Sequence, residues 1–201
     1  KSMVDKGYYA IRMGSNTEEV LVAKEEKIID YANKFHNDFM DIYLPANCQF
    51  FLGTCSGPNA LATLFRKPHA CANTAPFLGM NQFRDTDIFI PKKHWLISEN
   101  RLMTFNEIIS SGAASFFESN LFIDAGIELI ENTPEEISDL AIEMHNRIKG
   151  TWRLDKDDEK IHKKYNSILE KNPLTWDIYD SKVKKRPQIA TSFLRKYRNL
   201  L

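Results

Sequence analysis

The stretch over residues 48–73 constrains the fold most, because it predicts one complete strand–helix–strand unit. An apolar run over residues 48–52 has the length of a buried strand and ends at Gly53. Ser56-Gly57-Pro58 then has the composition of a helix start, and apolar residues follow at helical spacing. Pro68 stops this helix before a second apolar run. The pattern is typical of a parallel sheet whose strands alternate with helices.

The turn between this strand and its helix is a candidate anion site. The first N–H groups of a helix have no partner in the helix, and the peptide dipoles place partial positive charge there. Thr54 and Ser56 add hydroxyl groups, Gly53 and Gly57 leave room for phosphate oxygens, and Asn59 lies in the first helical turn. The alternative is that Ser56 only caps the helix and Gly57 only permits the turn.

A second candidate phosphate ligand is Arg12, near the end of a strand predicted over residues 7–14. Gly14 closes this strand and a polar loop over residues 15–19 follows. An arginine at the carboxyl end of a parallel strand points into the ligand crevice, where its planar guanidinium suits a phosphate group. A surface ion pair is the alternative role of Arg12.

Five further residues are predicted to contact a ribose, base or sugar. Asp30 and Tyr31 end a short apolar segment over residues 27–31, predicted as a strand or a loop, and an acid after a strand can accept hydrogen bonds from sugar hydroxyls. The other three lie at or near the ends of later predicted strands: Asn73, Lys92 and Glu131. For Lys92 and its neighbour, a solvated pair of lysines is the alternative.

The remaining pattern predicts an α/β fold. Residues 36–44 predict a helix with an inward face formed by Phe39, Met40, Tyr43 and Leu44. The other predicted elements are strands over 87–91 and 126–132, and helices over 104–109, 133–149, 155–170 and 188–200. We therefore expect a single Rossmann-like domain, with a parallel sheet covered by helices on both faces over residues 1–150 and a helical tail over residues 151–201.

Composition excludes several classes of protein. The 27 basic residues balance 27 acidic residues, so net charge argues neither for nucleic acid nor for an anionic membrane surface, and we expect no nucleic acid as a partner. The longest apolar runs are strand-sized and no signal-peptide pattern is present, so we expect no transmembrane segment and a cytoplasmic location, with peripheral attachment to the inner membrane as an alternative. The cysteines are Cys48, Cys55 and Cys71, without metal-ligand spacing, and we expect them to be reduced. Neither a dinucleotide fingerprint nor a Walker loop occurs.

Several segments resemble, in the same order, the motifs of a bacterial family assigned to the GT-B glycosyltransferases of surface polysaccharide or glycan biosynthesis. The resemblance covers nearly the whole chain and rests on these segments: YYAIRMG (8–14), IDYA (29–32), DFMDIYL (38–44), FFLGTCSG (50–57), FIPKKHW (89–95), GIELIENTPEEI (126–137) and FLR (193–195). More distantly, the arginine and the Thr-x-Ser turn are similar to the donor half of fucosyltransferase-like enzymes.

The resemblance implies that the substrate is a nucleotide-diphosphate sugar and that no further cofactor or metal is needed. Carried over by position, Arg12 would clamp the diphosphate, while Thr54, Ser56 and Gly57 would cradle it. Asp30 would lie near the ribose, base or sugar. This turn has Ser-Gly-Pro where the fucosyltransferases have paired serines, which leaves the identity of the sugar open.

The resemblance is to the carboxyl-terminal, donor-binding half of a GT-B enzyme, so we expect an acceptor-binding domain or partner protein to complete it. His36, His69 and His94 are chemically suited to act as the base, but none is assigned. Two other functions stay open. The chain is alternatively a non-catalytic interaction module of a glycan-assembly system, or an enzyme like the sugar-nucleotide epimerases.

Overall fold

The computed structural model of the protein describes residues 1–14, 19–77, 86–171 and 188–201. Most of the predicted loop over 15–19 lies outside the described residues. The sequence also predicts a loop over residues 73–80 from its glycine and proline, and the last three residues of that loop lie outside them too. Within the described residues, a strand, a helix and a strand alternate over residues 51–74 as predicted, whereas the three strands over residues 88–102 follow one another without an α-helix between them.

The strands and helices have the following bounds. The strands are β1 (Ala10–Arg12), β2 (Ile28–Asp30), β3 (Phe51–Gly53), β4 (His69–Thr74), β5 (Ile88–Pro91), β6 (Lys93–Leu96), β7 (Arg101–Leu102), β8 (Ile127–Ile130) and β9 (Gln188–Ile189). The α-helices are α1 (Tyr31–Lys34), α2 (Asp38–Asn47), α3 (Gly57–Leu64), α4 (Phe105–Ser110), α5 (Ser119–Asp124), α6 (Pro134–Ile148), α7 (Lys156–Glu170) and α8 (Thr191–Lys196). Short 3-10 helices cover Ile97–Glu99, Ala113–Ser115 and Arg198–Leu200.

A four-stranded, all-parallel sheet in the order β3-β4-β5-β9 organises the domain. All four residues of β5 are buried, as are five of the six residues of β4. Strands that are buried on both faces consist of nearly continuous apolar residues, and this pattern made β4 and β5 predictable from the sequence. The predicted α/β class is confirmed, with helices packed against a parallel sheet and further helices near the carboxyl terminus.

The last part of the chain differs from the predicted helix over residues 188–200. Its first residues form β9, which pairs with β5 in parallel, and α8 begins only at Thr191. The Ala190 N–H donates a hydrogen bond of 2.9 Å to the carbonyl oxygen of Phe89. Pairing with the edge of β5 therefore places in a strand a segment whose local pattern favours a helix.

Two smaller sheets flank this arrangement. Strands β1 and β2 pair in parallel, with Arg12 opposite Asp30. The predicted strand over residues 126–132 forms β8, which pairs antiparallel to β6 in the order β7-β6-β8. This second sheet was not predicted, because the alternating pattern of β8 does not reveal the direction of its partner.

The hydrophobic core lies between the parallel sheet and helices α4, α6, α7 and α8. The three C-terminal helices contribute these fully or almost fully buried side chains: Leu140, Met144, Tyr165, Leu169, Phe193 and Leu194. Helices α7 and α8, which the structure describes after residue 150, therefore both contribute buried side chains to the core. No helix among the described residues is long and apolar enough to cross a membrane.

The predicted inward face of α2 is wrong for Phe39 and Tyr43, whereas Met40 and Leu44 are partly buried. Phe39 and Tyr43 are 69% and 48% exposed, and their rings stack on each other with centroids 5.5 Å apart. Only Pro45 of this helix is buried. The apolar periodicity therefore predicted the helix correctly, but Phe39 and Tyr43 lie on a largely exposed surface.

Candidate functional site

The turn after β3 is exposed and leads directly into a helix. Ser56 is the residue before α3 and has the extended backbone of a helix cap, but its side chain makes no capping hydrogen bond. Thr133, at the start of α6, does cap its helix through its side chain. Thr54, Ser56 and Gly57 are all exposed to solvent. The Ser56 hydroxyl is therefore not used for capping, the role that the simpler interpretation gave it.

Gly57 is not required by the packing of the fold. A Cβ atom built on Gly57 would meet no atom within 4 Å. Gly53 differs, because a Cβ there would lie 2.6 Å from Cε1 of Phe51. The open space at the first residue of α3 is where a phosphate oxygen would approach the backbone N–H groups.

Asn59 adds an acceptor to the same helical turn. Its N–H donates to the carbonyl oxygen of Ser56 at 3.1 Å. Its Oδ1 atom is buried and has no hydrogen-bond partner within the described residues. Buried polar atoms usually have a partner, so the first turn of α3 contains one group that the fold itself does not explain.

This turn lies at the same edge of the parallel sheet as two other predicted residues, Asn73 and Lys92. Gly53 at the end of β3 is opposite Cys71 of β4, and Thr74 of β4 is opposite Pro91 of β5. Because the three strands are parallel, the turn, Asn73 and Lys92 all lie at the carboxyl edge of one sheet. The three segments therefore share one edge of the sheet.

At this edge, Asn73 serves the fold through its backbone and its side chain. Its backbone has a positive φ of 54°, and its N–H donates to Oδ1 of Asn132 at 2.6 Å. The N–H of Asn132 donates in return to Oδ1 of Asn73 at 2.6 Å. Asn132 also donates through Nδ2 to the carbonyl oxygen of Pro91 at 2.9 Å. The carboxyl end of β4 is thereby fixed to the segment between β8 and α6.

Lys92 and Glu131 form an ion pair next to this contact. Nζ of Lys92 lies 3.1 Å from Oε1 of Glu131, and the glutamate side chain is mostly exposed. The pair is therefore accessible from solvent at the edge where the predicted site lies. A surface pair of this kind contributes little to stability, so a ligand can displace it at small cost.

Arg12 and Asp30 are neighbours at the carboxyl end of the two-stranded sheet. Nη1 of Arg12 donates to the carbonyl oxygen of Glu19 at 2.7 Å and lies 3.7 Å from Oδ1 of Asp30. Gly14, with a φ of 126°, follows two residues later. Within the described residues, no hydrogen bond or ion pair joins Arg12 or Asp30 to the turn after β3.

Asp30 is almost completely buried and organises the segment between β1 and β2. Its Oδ2 accepts hydrogen bonds from the Leu21 N–H at 2.8 Å and from Nδ2 of Asn33 at 3.0 Å. The hydrogen bond from Asn33, then that from Leu21 and the charge of Arg12, lower the pKa of Asp30 although burial opposes this. Asp30 is therefore an ionised carboxylate whose Oδ2 is already engaged.

Tyr31 fixes the start of α2. Its hydroxyl lies 2.7 Å from Oδ1 of Asp41 and 2.8 Å from the carbonyl oxygen of Asn37, and it accepts a hydrogen bond from the Asn37 N–H. The tyrosine is buried, and this burial raises the pKa of its hydroxyl. The contacts explain the position of Tyr31 without a ligand.

The three histidines considered as bases lie in different surroundings. His36 pairs with Asp41 at 2.9 Å near the surface. His69 and His94 are buried, and burial lowers the pKa of each to about 4. Their Nε2 atoms are inaccessible and have no partner within the described residues. Both rings are therefore neutral core groups that present no nitrogen to an acceptor hydroxyl.

Sequence reasoning did not identify two features of this edge. One is Asn132, whose only signal was its position between a predicted strand and the capping Thr133. The other is the contact between Sγ of Cys55 and Sγ of Cys71, which lie 3.8 Å apart. No group of three or more His, Cys, Asp or Glu side chains in the described ranges is placed to hold a metal ion.

Comparison of the chain with models of known protein families, with curated proteins and with solved structures found no match.

Proposed function

We propose that this chain is the donor-binding domain of a glycosyltransferase, which binds a nucleotide-diphosphate sugar at the carboxyl edge of its parallel sheet. The observation that carries the proposal is the turn after β3. Its Ser56 occupies a helix cap position without capping, and its Gly57 is open to solvent without being required by the packing.

The proposed chemistry is stabilisation of a departing anion. When the sugar is transferred, the bond between the anomeric carbon and the diphosphate breaks, and negative charge develops on the leaving diphosphate. Backbone N–H groups at the start of α3 and the hydroxyl groups of Thr54 and Ser56 would donate hydrogen bonds to it. These donors are fixed by the helix before the reaction begins, so little reorganisation is required.

The neighbouring part of the edge would bind the rest of the donor. Lys92 directly follows β5 of the same sheet, and its partner Glu131 is mostly exposed. A sugar or ribose hydroxyl would bind to Glu131, while Lys92 would contact a phosphate. The reciprocal contact of Asn73 with Asn132 would hold this side of the site in place.

In this proposal Arg12 is a second phosphate ligand. A guanidinium has five N–H donors, and Nη1 of Arg12 contacts Glu19 and faces Asp30. The buried Asp30 would then orient Arg12 instead of contacting the ribose. Arg12 lies in the two-stranded sheet, whereas the turn lies in the four-stranded sheet. Arg12 can therefore bind the same ligand only if the carboxyl ends of both sheets face it.

The acceptor and the base would come from a second domain or a partner protein. The turn after β3 lies on an open surface, so one wall of the proposed site is missing from the described residues. In a two-domain enzyme, closure of the other domain over the donor would exclude water from the diphosphate. By itself the chain would bind the donor without transferring the sugar.

The exposed apolar side chains of α2 favour a second candidate function, that of a non-catalytic interaction module. Phe39, Ile42 and Tyr43 are each about half exposed or more. Clusters of exposed apolar side chains are typical of surfaces that bind another protein. This function requires no nucleotide site, so nucleotide binding separates the two candidates.

The experiment is calorimetric titration of the chain with UDP, GDP and CMP, the leaving groups of the common nucleotide-sugar donors. We expect one of the diphosphates to bind with a dissociation constant of about 1 mM or less, which corresponds to roughly 4 kcal/mol. Gly57→Ala and Ser56→Ala should each weaken binding, by about tenfold for the glycine, because a methyl group would occupy the place of a phosphate oxygen.

Thr133→Ala is the matched control, since it removes a hydroxyl from the start of another helix that does use it as a cap. It should leave the nucleotide affinity of the folded protein unchanged. Equal weakening by Ser56→Ala and Thr133→Ala would show that the loss is structural. If none of the three nucleotides binds, the donor-site proposal fails and the interaction module becomes the better hypothesis.

A further inference from the structure

Two cysteines join the turn after β3 to the interior of the sheet. Sγ of Cys55, in the exposed turn, lies 3.8 Å from Sγ of Cys71, in the buried strand β4. The backbone explains this contact, because Gly53 is opposite Cys71 and Cys55 follows only two residues later. The sulfur atoms are in van der Waals contact, so only a small movement of the exposed turn is needed to bring them to bonding distance.

The two thiols have different properties. The hydrogen bond with Cys71 lowers the pKa of Cys55 to about 7, with a further contribution from the Ala75 backbone, although burial opposes it. The same contact and burial raise the pKa of Cys71. A thiolate is the reactive form of cysteine, so the accessible member of the pair is the one prepared to react. The third cysteine, Cys48, instead donates to the carbonyl oxygen of Pro45 at 3.2 Å.

We propose that Cys55 and Cys71 form a reversible disulfide when the protein meets a hydroperoxide, and that this bond fixes the turn after β3 against strand β4. The arrangement matches a redox site, in which an accessible cysteine is placed next to a second cysteine that resolves the first oxidation product.

The reaction has two steps. The Cys55 thiolate attacks one oxygen of the peroxide: an S–O bond forms, the O–O bond breaks, and the other oxygen leaves as water after protonation or, from an organic hydroperoxide, as an alcohol. The sulfur of Cys71 then attacks the sulfenic sulfur of Cys55: the S–S bond forms, the S–O bond breaks, and the oxygen leaves as water with the Cys71 proton. Two thiols lose two electrons and the peroxide gains them. A dithiol reductant reverses the change by thiol–disulfide exchange.

The bond would act on the position proposed for the diphosphate. Cys55 directly precedes Ser56, so linking Cys55 to a buried strand restricts the segment that carries the Ser56 hydroxyl and the first N–H groups of α3. We expect nucleotide affinity to differ between the reduced and oxidised protein. This consequence rests on the proposed function, whereas the formation of the disulfide does not.

The test begins with the reduced protein, treated with a small excess of hydrogen peroxide and then with an alkylating reagent. Digestion with trypsin places Cys48 and Cys55 in one peptide, residues 35–66, and Cys71 in the next, residues 67–84. We expect a cross-link between these two peptides that disappears with dithiothreitol. Cys48→Ser should keep the cross-link, while Cys55→Ser should lose it.

Cys71→Ala provides a second readout, since without its partner Cys55 should proceed to the sulfinic acid. If this variant does not fold, Cys48→Ser and Cys55→Ser still show which cysteine forms the cross-link, because both change residues outside the fully buried core. A cross-link through Cys48, a cross-link between two chains, or sulfinic acid at Cys55 of the wild-type protein would each overturn the proposal.

Titration of the reduced and oxidised proteins with UDP and GDP separates the two proposals. A cross-link with unchanged affinity would overturn only the effect on the turn. Absence of nucleotide binding in the reduced protein would overturn the donor site and leave the disulfide standing.

Discussion

Asn73 and Asn132 lie 59 residues apart in the chain, and each donates its backbone N–H to the side-chain oxygen of the other at 2.6 Å. The pair joins the parallel strand β4 to the segment that follows β8, a strand of the antiparallel sheet. Asn132 adds a hydrogen bond to Pro91, at the end of β5. One asparagine thus links three strands at the edge that carries the candidate site.

We predict that Asn132→Ala destabilises the protein by about 2 kcal/mol, because it leaves the Asn73 N–H without its acceptor and the Pro91 carbonyl without its donor. Unfolding by urea, followed by circular dichroism, measures this. Asn106→Ala, at an exposed position of α4, is the control and should have little effect. Equal stability of the two variants would mean that solvent replaces the contacts of Asn132.

Glu136 holds together a second group of long-range contacts. Its carboxylate accepts hydrogen bonds from Lys93 at 3.1 Å and from Lys196 at 2.7 Å, and it also binds the hydroxyl of Tyr197. Burial alone would raise the pKa of Glu136, but hydrogen bonds, including those from Lys196, Tyr197 and Lys93, hold it to about 2. The carboxylate therefore connects α6 to β6 and to the end of the chain.

We predict that Glu136→Gln destabilises the protein by about 3 kcal/mol, since it leaves the buried ammonium of Lys93 without a counter-charge. Glu135→Gln changes the adjacent, exposed residue and is the control. Chemical denaturation at pH 7 measures the free energy of unfolding of the two variants. A small effect at both positions would show that Lys93 finds another partner in the variant.

Stability should fall in mildly acidic solution because of two buried histidines. Burial lowers the pKa of His69 and His94 from 6.5 to about 4. Between these values the unfolded chain binds protons that the folded chain does not, so the free energy of unfolding decreases as pH falls from 6.5 to about 4. Each histidine contributes at most about 3 kcal/mol to this loss.

The measurement is the free energy of unfolding at a series of pH values. His94→Gln should make the dependence between pH 6.5 and 4 less steep. The control is Phe122→Leu, which changes a ring whose centroid lies 5.7 Å from that of His94 but leaves the titrating group in place. It should lower stability by a similar amount at every pH. If the free energy of unfolding of His94→Gln depends on pH as steeply as that of the wild-type protein, His94 does not cause the loss of stability.

The two kinds of helix start should differ in stability. Thr133→Ala removes a side chain that accepts a hydrogen bond from the Glu136 N–H, so we predict a loss of about 1 kcal/mol. Ser56→Ala removes a hydroxyl that caps nothing and should change thermal stability little. If both variants lose stability equally, the Ser56 hydroxyl caps α3 in solution, and the main support for the anion site is lost.

Local signals in the sequence predicted much of the chain correctly. The helices predicted over residues 104–109 and 133–149 occur, and each begins with a capping box, at Thr104 and at Thr133. The strand–turn–helix–strand unit occurs with the turn at its predicted position, because a buried parallel strand and a helix start each leave a pattern within a few residues. The roles of the candidate ligands in nucleotide binding stay predictions.

The amino-acid sequence by itself determined the α/β class, the order of most elements and the position of the exposed turn. Only the tertiary structure decided that residues 188 and 189 complete the parallel sheet, that β8 runs antiparallel to β6, and which face of α2 is exposed. It also brought Asn73 to Asn132 and Cys55 to Cys71. The reason is physical: periodicity and capping are set by residues within one or two turns, whereas edge pairing and side-chain contacts depend on groups that the chain brings together only on folding.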